Sequence, residues 1–145
     1  MKQKGKFLWV LVIVLTLAFV FGQSFMDKSA SSKESRIVRE KIVQPVYEAI
    51  TGKTITDSEI RNAAHIIEFT VLGLELALLF KGKKRLLRSI SYCGMIALLD
   101  ESVQLLNDRA PQVTDIWSDI LGGTIGALIG ILLLTLIRKH SEKTK

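Results

Sequence analysis

Residues 116–137 read IWSDILGGTIGALIGILLLTLI. After Asp119 the next 18 positions, through Ile137, carry no charge, and no polar face recurs at helical spacing. A helix needs about 20 apolar residues to cross the hydrocarbon layer of a bilayer. A water-soluble helical bundle would require a polar face on this segment, so the stretch decides for a bundle in lipid. The same stretch carries Gly122, Gly126 and Gly130 four apart, continuing the stripe of Asp115 and Asp119. Small residues at that spacing let two helices approach closely. The acids of this helix are therefore expected to face neighbouring helices.

Working outward, three more apolar blocks appear. The first, 7–26, has only Gln23 and Ser24 as polar residues beyond Phe21, and Lys2, Lys4 and Lys6 precede it. This flank also suits a signal peptide, with a conceivable cut after Gly22. The apolar run is long for that purpose, so a retained anchor is expected. The second block, 61–80, includes His65, Glu68 and Glu75; the third, 86–106, holds Arg88, Asp100, Glu101 and Gln104. Ionisable residues at a helix centre cost roughly 2.5–3.5 kcal/mol each on insertion scales, which makes these two weaker as isolated spans. The expected fold class is all-α: an integral membrane bundle of four helices plus an outer amphipathic helix.

Composition fits this reading and excludes others. The chain has 145 residues, 48% apolar, with a mean hydropathy of +0.32, one Cys and two Pro. A single Cys rules out a disulfide framework, and the composition rules out an acidic disordered tail. The net charge of +6 is not spread evenly. Twelve Lys and Arg fall in 1–6, in 81–88 and in the basic tail 138–145, with Glu142 as the only acid among them. These segments net +11 and the remainder −5. Four spans with both termini in the cytoplasm satisfy the bias, so the basic excess is an orientation signal with affinity for anionic inner-leaflet lipid. Nucleic acid is not an expected partner.

The connection 27–60 then lies outside. It opens with a Ser/Lys link, and Ser31 with Glu34 has capping-box spacing. Val38, Ile42, Val46, Ala49 and Ile50 form an apolar stripe, which Pro45 should kink and Gly52 should end. Thr56 and Glu59 repeat the capping-box spacing, so the second span should begin near Asp57.

In this topology every intramembrane acid but Glu75 sits at the outer end of its helix. Arg61, His65, Glu68, Asp100, Glu101, Gln104, Arg109, Asp115 and Asp119 are the candidate pocket residues. At 1.5 Å per residue they occupy about the outer third of the hydrocarbon layer. Such residues either hold helices together by hydrogen bonds or build a ligand-binding or catalytic pocket. A metal centre is the least favoured reading, because no strong ligand spacing is present, and no cofactor is expected. Glu75, nearer the cytoplasm, is expected to pair with Arg85 or Arg88. Cys93 reads as helix packing, since no basic residue is placed to activate it.

Two of these stretches resemble the VanZ-like family of small bacterial membrane proteins. Arg61 to Gly73 resembles the family's R-K-x-A-H-F-x-E-Y-x-x-L-G, and Asp100-Glu101-Ser102-Val103-Gln104 its D-E-x-x-Q, followed by Arg109, Asp115, Asp119 and Gly122 at family-like spacing. Asn62, Ile66 and Phe69 replace the usual Lys, Phe and Tyr, and the link from Gln104 to Arg109 lacks a usual Pro-Gly. The resemblance covers 7–137. It implies a four-helix protein of the bacterial plasma membrane and envelope, in a family named for a member associated with resistance to the glycopeptide teicoplanin. The expected function is binding of a lipid or cell-wall-related ligand, lipid or glycan, in an outward-facing polar pocket. The alternative is an intramembrane enzyme on a lipid-linked substrate, with Glu101 or Asp100 as general base and His65 as acid partner. Proton or ion transport is less favoured. Oligomeric state is not legible.

Overall fold

The computed structural model describes residues 3–25, 36–106 and 113–143, and every regular element among them is a helix. In chain order these are α1 (Gln3–Phe25), a π-helical turn (Arg39–Val43) running into α2 (Gln44–Thr51), α3 (Asp57–Leu79), α4 (Arg85–Leu106) and α5 (Val113–Lys143). The stretch of Ser31 and Glu34 lies outside the described residues. Pro45 stands in α2 just after the π-helical turn, so the backbone hydrogen-bond pattern changes at the proline without the helix breaking, and Gly52 ends that helix in the left-handed conformation at φ 68°.

α3 starts where the sequence places it. Thr56 Oγ1 accepts from the Glu59 amide at 3.3 Å, and Glu59 Oε2 accepts from the Thr56 amide at 2.8 Å. At the far end the turn at Gly82 (φ 89°) leads into α4, and Arg85 Nε donates to the Phe80 carbonyl at 2.6 Å. That bond uses Arg85 on a helix end. Glu75 instead accepts from Thr16 Oγ1 of α1 at 2.8 Å, so the expected pairing with Arg85 or Arg88 is replaced by a contact to the first helix. The reason is spatial: α1 lies against α3 and α4 and reaches the buried Glu75 first.

α3 and α5 form the tightest pair. A Cβ built on Gly73 would overlap the Gly123 carbonyl, one on Gly122 the Ile66 carbonyl, and one on Gly126 the Thr70 carbonyl. Thr70 Oγ1 also donates to the Gly122 carbonyl at 3.1 Å. The apolar core lies between this pair and the other two long helices and contains Ile13, Val20, Phe69, Leu72, Leu76, Cys93 and Ala97. Cys93 is fully buried, with its Cβ and Sγ directly over Gly123, in the packing role expected of it.

The distribution of polarity is inverted relative to a water-soluble bundle. Phe7, Leu8, Leu15, Phe19, Leu128, Leu132 and Leu136 stand on the outside, while Asp100, Glu101, Gln104, Asp115 and Asp119 are buried. Exposed apolar surface on this scale requires an apolar surrounding. Three helices are long and apolar enough to cross a membrane: Phe7–Phe25, Asp57–Leu79 and Val113–Lys143. α4 is not among them, because it carries Arg85, Arg88, Asp100 and Glu101 along its length.

Candidate functional site

The buried polar residues meet at the Asp57 end of α3, where the C-terminal end of α4 and the N-terminal ends of α3 and α5 come together. Helical geometry supplies the faces. Arg61, His65 and Glu68 follow a 4–3 step on α3, Asp100 and Gln104 are one turn apart on α4, and Asp115 and Asp119 are one turn apart on α5. The capping box at Thr56 fixes where the α3 face begins, and the glycine seam sets how near α5 comes.

Two bridges join α3 to α5. Arg61 Nη2 lies 2.7 Å from Asp115 Oδ2, and His65 Nδ1 lies 2.8 Å from Asp119 Oδ1. The other ring nitrogen of His65 is 3.7 Å from Asp115 Oδ2, so the imidazole stands between the two carboxylates. Arg61 Nη2 also donates to Gln104 Oε1 at 2.8 Å, which brings in α4. Gln104 in turn donates from Nε2 to Asp100 Oδ2 at 2.8 Å and to Glu101 Oε1 at 3.2 Å. Asp115 and Asp119 are fully buried and Asp100 and Gln104 nearly so, whereas Arg61 and His65 reach the edge of the cluster.

The structure thus brings seven of the nine expected residues into one linked network: Arg61, His65, Asp100, Glu101, Gln104, Asp115 and Asp119. Glu68, half-buried, lies one turn further along the same face, within electrostatic range of His65, Asp100 and Asp119. Arg109 lies outside the described residues. Gly122, Gly126 and Gly130 stand outside this network and line the α3–α5 seam, where the Gly122 carbonyl accepts from Thr70.

Sequence reasoning missed Ser24. It is buried at the end of α1, and its hydroxyl donates to Asp100 Oδ1, so the first helix also contributes to the network. The only signal was its position as a polar residue at the end of an otherwise apolar run.

Not every polar atom in the network is partnered. Among the described residues Asp119 Oδ2 has no hydrogen-bond partner, although the side chain is fully buried, and neither has Arg61 Nε. Such atoms in a buried network mark strain or a place for something else to bind. No strong metal-ligand spacing runs along the chain, but in space the picture differs. His65, Asp100 and Asp119 offer donor atoms within 4.8 Å of one another, and so do His65, Glu101 and Asp115. The second set already commits Asp115 to Arg61.

Chemically the arrangement offers a guanidinium engaged through one nitrogen, an imidazole held between carboxylates, and several acceptors within about one helical turn of one another. It suits recognition of a polar group brought to one end of a bundle. Comparison with known proteins identifies a family. The family model VanZ/LLP1 matches residues 7–137, a span that holds α3, α4, most of α1 and α5, and the residues of the network. Neither the curated proteins nor the solved structures give a match. With apolar helices outside, a polar network inside and a family match over most of its length, this chain is a membrane protein belonging to the VanZ/LLP1 family.

Proposed function

We propose that the protein is a four-span component of the bacterial cell envelope, with both termini in the cytoplasm, that binds a lipid or cell-wall-related ligand at its polar network. α4 serves as the fourth span because its charged residues near Asp100 turn inward, into the network, and its Arg85 and Arg88 stay at the basic end. The charge bias puts the basic connection 81–88 inside and the network near the outer face.

The observation that carries the reading is the burial of Asp100, Asp115 and Asp119 together at one end of the bundle, beside Arg61 at the edge. Holding helices together in lipid takes hydrogen bonds worth roughly 0.6–2 kcal/mol each and does not require three buried acids at one level. An anionic headgroup would dock on Arg61, with hydroxyls or amines of the ligand on the acids.

Native mass spectrometry of the purified protein tests this. A co-purifying lipid or precursor should be retained by the wild type and lost on Arg61→Gln and Asp100→Asn. Retention by these variants at the wild-type level would refute it. A relation to teicoplanin resistance predicts a changed inhibitory concentration on deletion.

One observation favours the enzymatic alternative. His65 and Asp119 form a pair at 2.8 Å, the geometry in which a carboxylate orients an imidazole for proton transfer. The acid that would act with His65 is then Asp119, rather than the Glu101 or Asp100 expected from the sequence. Unaltered envelope lipids in a His65→Ala strain, with the protein still folded, would dismiss it.

A further inference from the structure

Asp100 and Asp119 are buried carboxylates whose partners among the described residues include no fixed positive charge: Asp100 accepts from the Ser24 hydroxyl and the Gln104 amide, and Asp119 meets His65 through one oxygen only. Arg61, the fixed cation of the described network, is taken by Asp115. Ionised carboxylates in a low-dielectric surrounding demand compensation, either by a proton or by a cation. The second oxygen of Asp119, Oδ2, is fully buried and has no hydrogen-bond partner.

We propose that His65, Asp100 and Asp119 bind a single divalent cation, of the kind that accepts one imidazole nitrogen together with carboxylate oxygens. Zinc and manganese suit this donor set ahead of magnesium and calcium, which favour oxygen alone. Donor atoms of all three residues already lie within 4.8 Å of one another, whereas ligands around one such ion stand about 3–3.5 Å apart, so small side-chain rotations close the set. Asp119 Oδ2 supplies a ligand atom that no other contact uses.

The surroundings are those of a supported metal site. A ligating histidine usually has its other nitrogen directed to a carboxylate, and His65 Nε2 faces Asp115 at 3.7 Å. Asp115 is anchored by Arg61, and Asp100 is held by Ser24 and Gln104. The three ligands come from three different helices, so the ion would fasten α3, α4 and α5 at the same end.

The proposal takes the network to be a binding site, as above, but does not need the lipid ligand. An ion here would add a positive centre for an anionic headgroup.

The test uses the full chain in detergent micelles, purified without chelator. Elemental analysis should find about one zinc or manganese ion per chain. After chelation, titration with Zn2+ or Mn2+ should raise the unfolding temperature, and Mg2+ or Ca2+ should do so only at much higher concentration. Asp119→Asn and His65→Gln should weaken binding by about tenfold or more, while Ser102→Ala, whose hydroxyl faces outward to the Leu98 carbonyl, should not. If the variants fail to fold, Mn2+-loaded wild type decides: electron paramagnetic resonance should show coupling to an imidazole nitrogen. Substoichiometric metal with no thermal response, equal binding by folded Asp119→Asn, or bound Mn2+ without nitrogen coupling would each overturn it. A protonated-carboxyl infrared band in the metal-free chain, unchanged on adding metal, would overturn it in favour of neutralisation by protons. Loss of lipid with the ion retained would refute only the ligand reading.

Discussion

Replacing Gly126 by Ala should weaken the bundle far more than one methyl group suggests. The added Cβ would overlap the Thr70 carbonyl oxygen and stand 2.7 Å from its carbon and 2.8 Å from the Leu74 amide nitrogen, against 3.4–4 Å for ordinary contact. All three atoms are backbone of α3, so no side chain can turn aside, and the helices must part by about 0.7 Å or more. A gap of that size forfeits a quarter to a half of each dispersion contact along the seam. Overpacking in a well-packed core typically costs about 1–3 kcal/mol, and a backbone clash belongs at or above the top of that range. Two glycines serve as controls: Gly22 has nothing within 4 Å of its added Cβ, and Gly94 meets only Ile120 side-chain carbons at 3.9 and 4.0 Å. Reversible unfolding in mixed micelles, followed by circular dichroism, measures the difference. Gly126→Ala should lose about 3 kcal/mol, and Gly22→Ala and Gly94→Ala less than about 0.5. Equal stability of Gly126→Ala and Gly94→Ala would refute the close approach of α3 and α5.

Arg61 touches Gln104 and Asp115 through one nitrogen, so Arg61→Ala should cost about 3–5 kcal/mol in the same unfolding assay by leaving Asp115 buried without its cation, and Arg61→Lys should recover part of it. Thr56→Ala removes the cap of α3 and should cost about 0.5–2 kcal/mol, with Thr56→Ser restoring most of it. For topology, a cysteine at Thr54 in a Cys93→Ala background should react with a membrane-impermeant thiol reagent on intact cells, and one at Lys83 only after lysis. The reverse pattern would invert the proposed orientation.

What could be read from the sequence follows from what is periodic. The 4-residue steps of Asp115, Asp119 and Gly122–Gly126–Gly130, and the 4–3 step of Arg61, His65 and Glu68, fix faces, because a helix converts spacing into direction. The Thr56–Glu59 pair fixes a start, because its hydrogen bonds are local. Contacts between helices are another matter. Ser24 is one polar residue with no periodic companion, so nothing along the chain says that it meets Asp100, which is 76 positions away. Local spacing offers Glu75 the arginines near it in the chain, whereas its partner, Thr16, lies 59 positions back on a helix whose placement no local rule determines. The closeness of His65, Asp100 and Asp119 is invisible along the chain for the same reason: each comes from a different helix.

The seam and the network are one device. Aspartate is the shorter of the two acidic side chains, and Asp115 and Asp119 reach Arg61 and His65 at 2.7 and 2.8 Å only because the α3 and α5 backbones touch just beyond them, at Ile66 and Gly122. Separate the helices by about 0.7 Å and both bridges stretch to about 3.4–3.5 Å, the edge of useful hydrogen-bond length. A glycine substitution at the seam therefore acts on the buried acids without touching them. In the unaltered seam a longer acid also fails, since Asp119→Glu adds a methylene to a fully buried position and overpacks the space that His65 and Asp100 share. Gly122→Ala and Asp119→Glu should consequently both abolish ligand retention, the first by distance and the second by volume. The double variant should regain part of the retention in native mass spectrometry, because the widened seam of the first variant makes room for the longer side chain of the second.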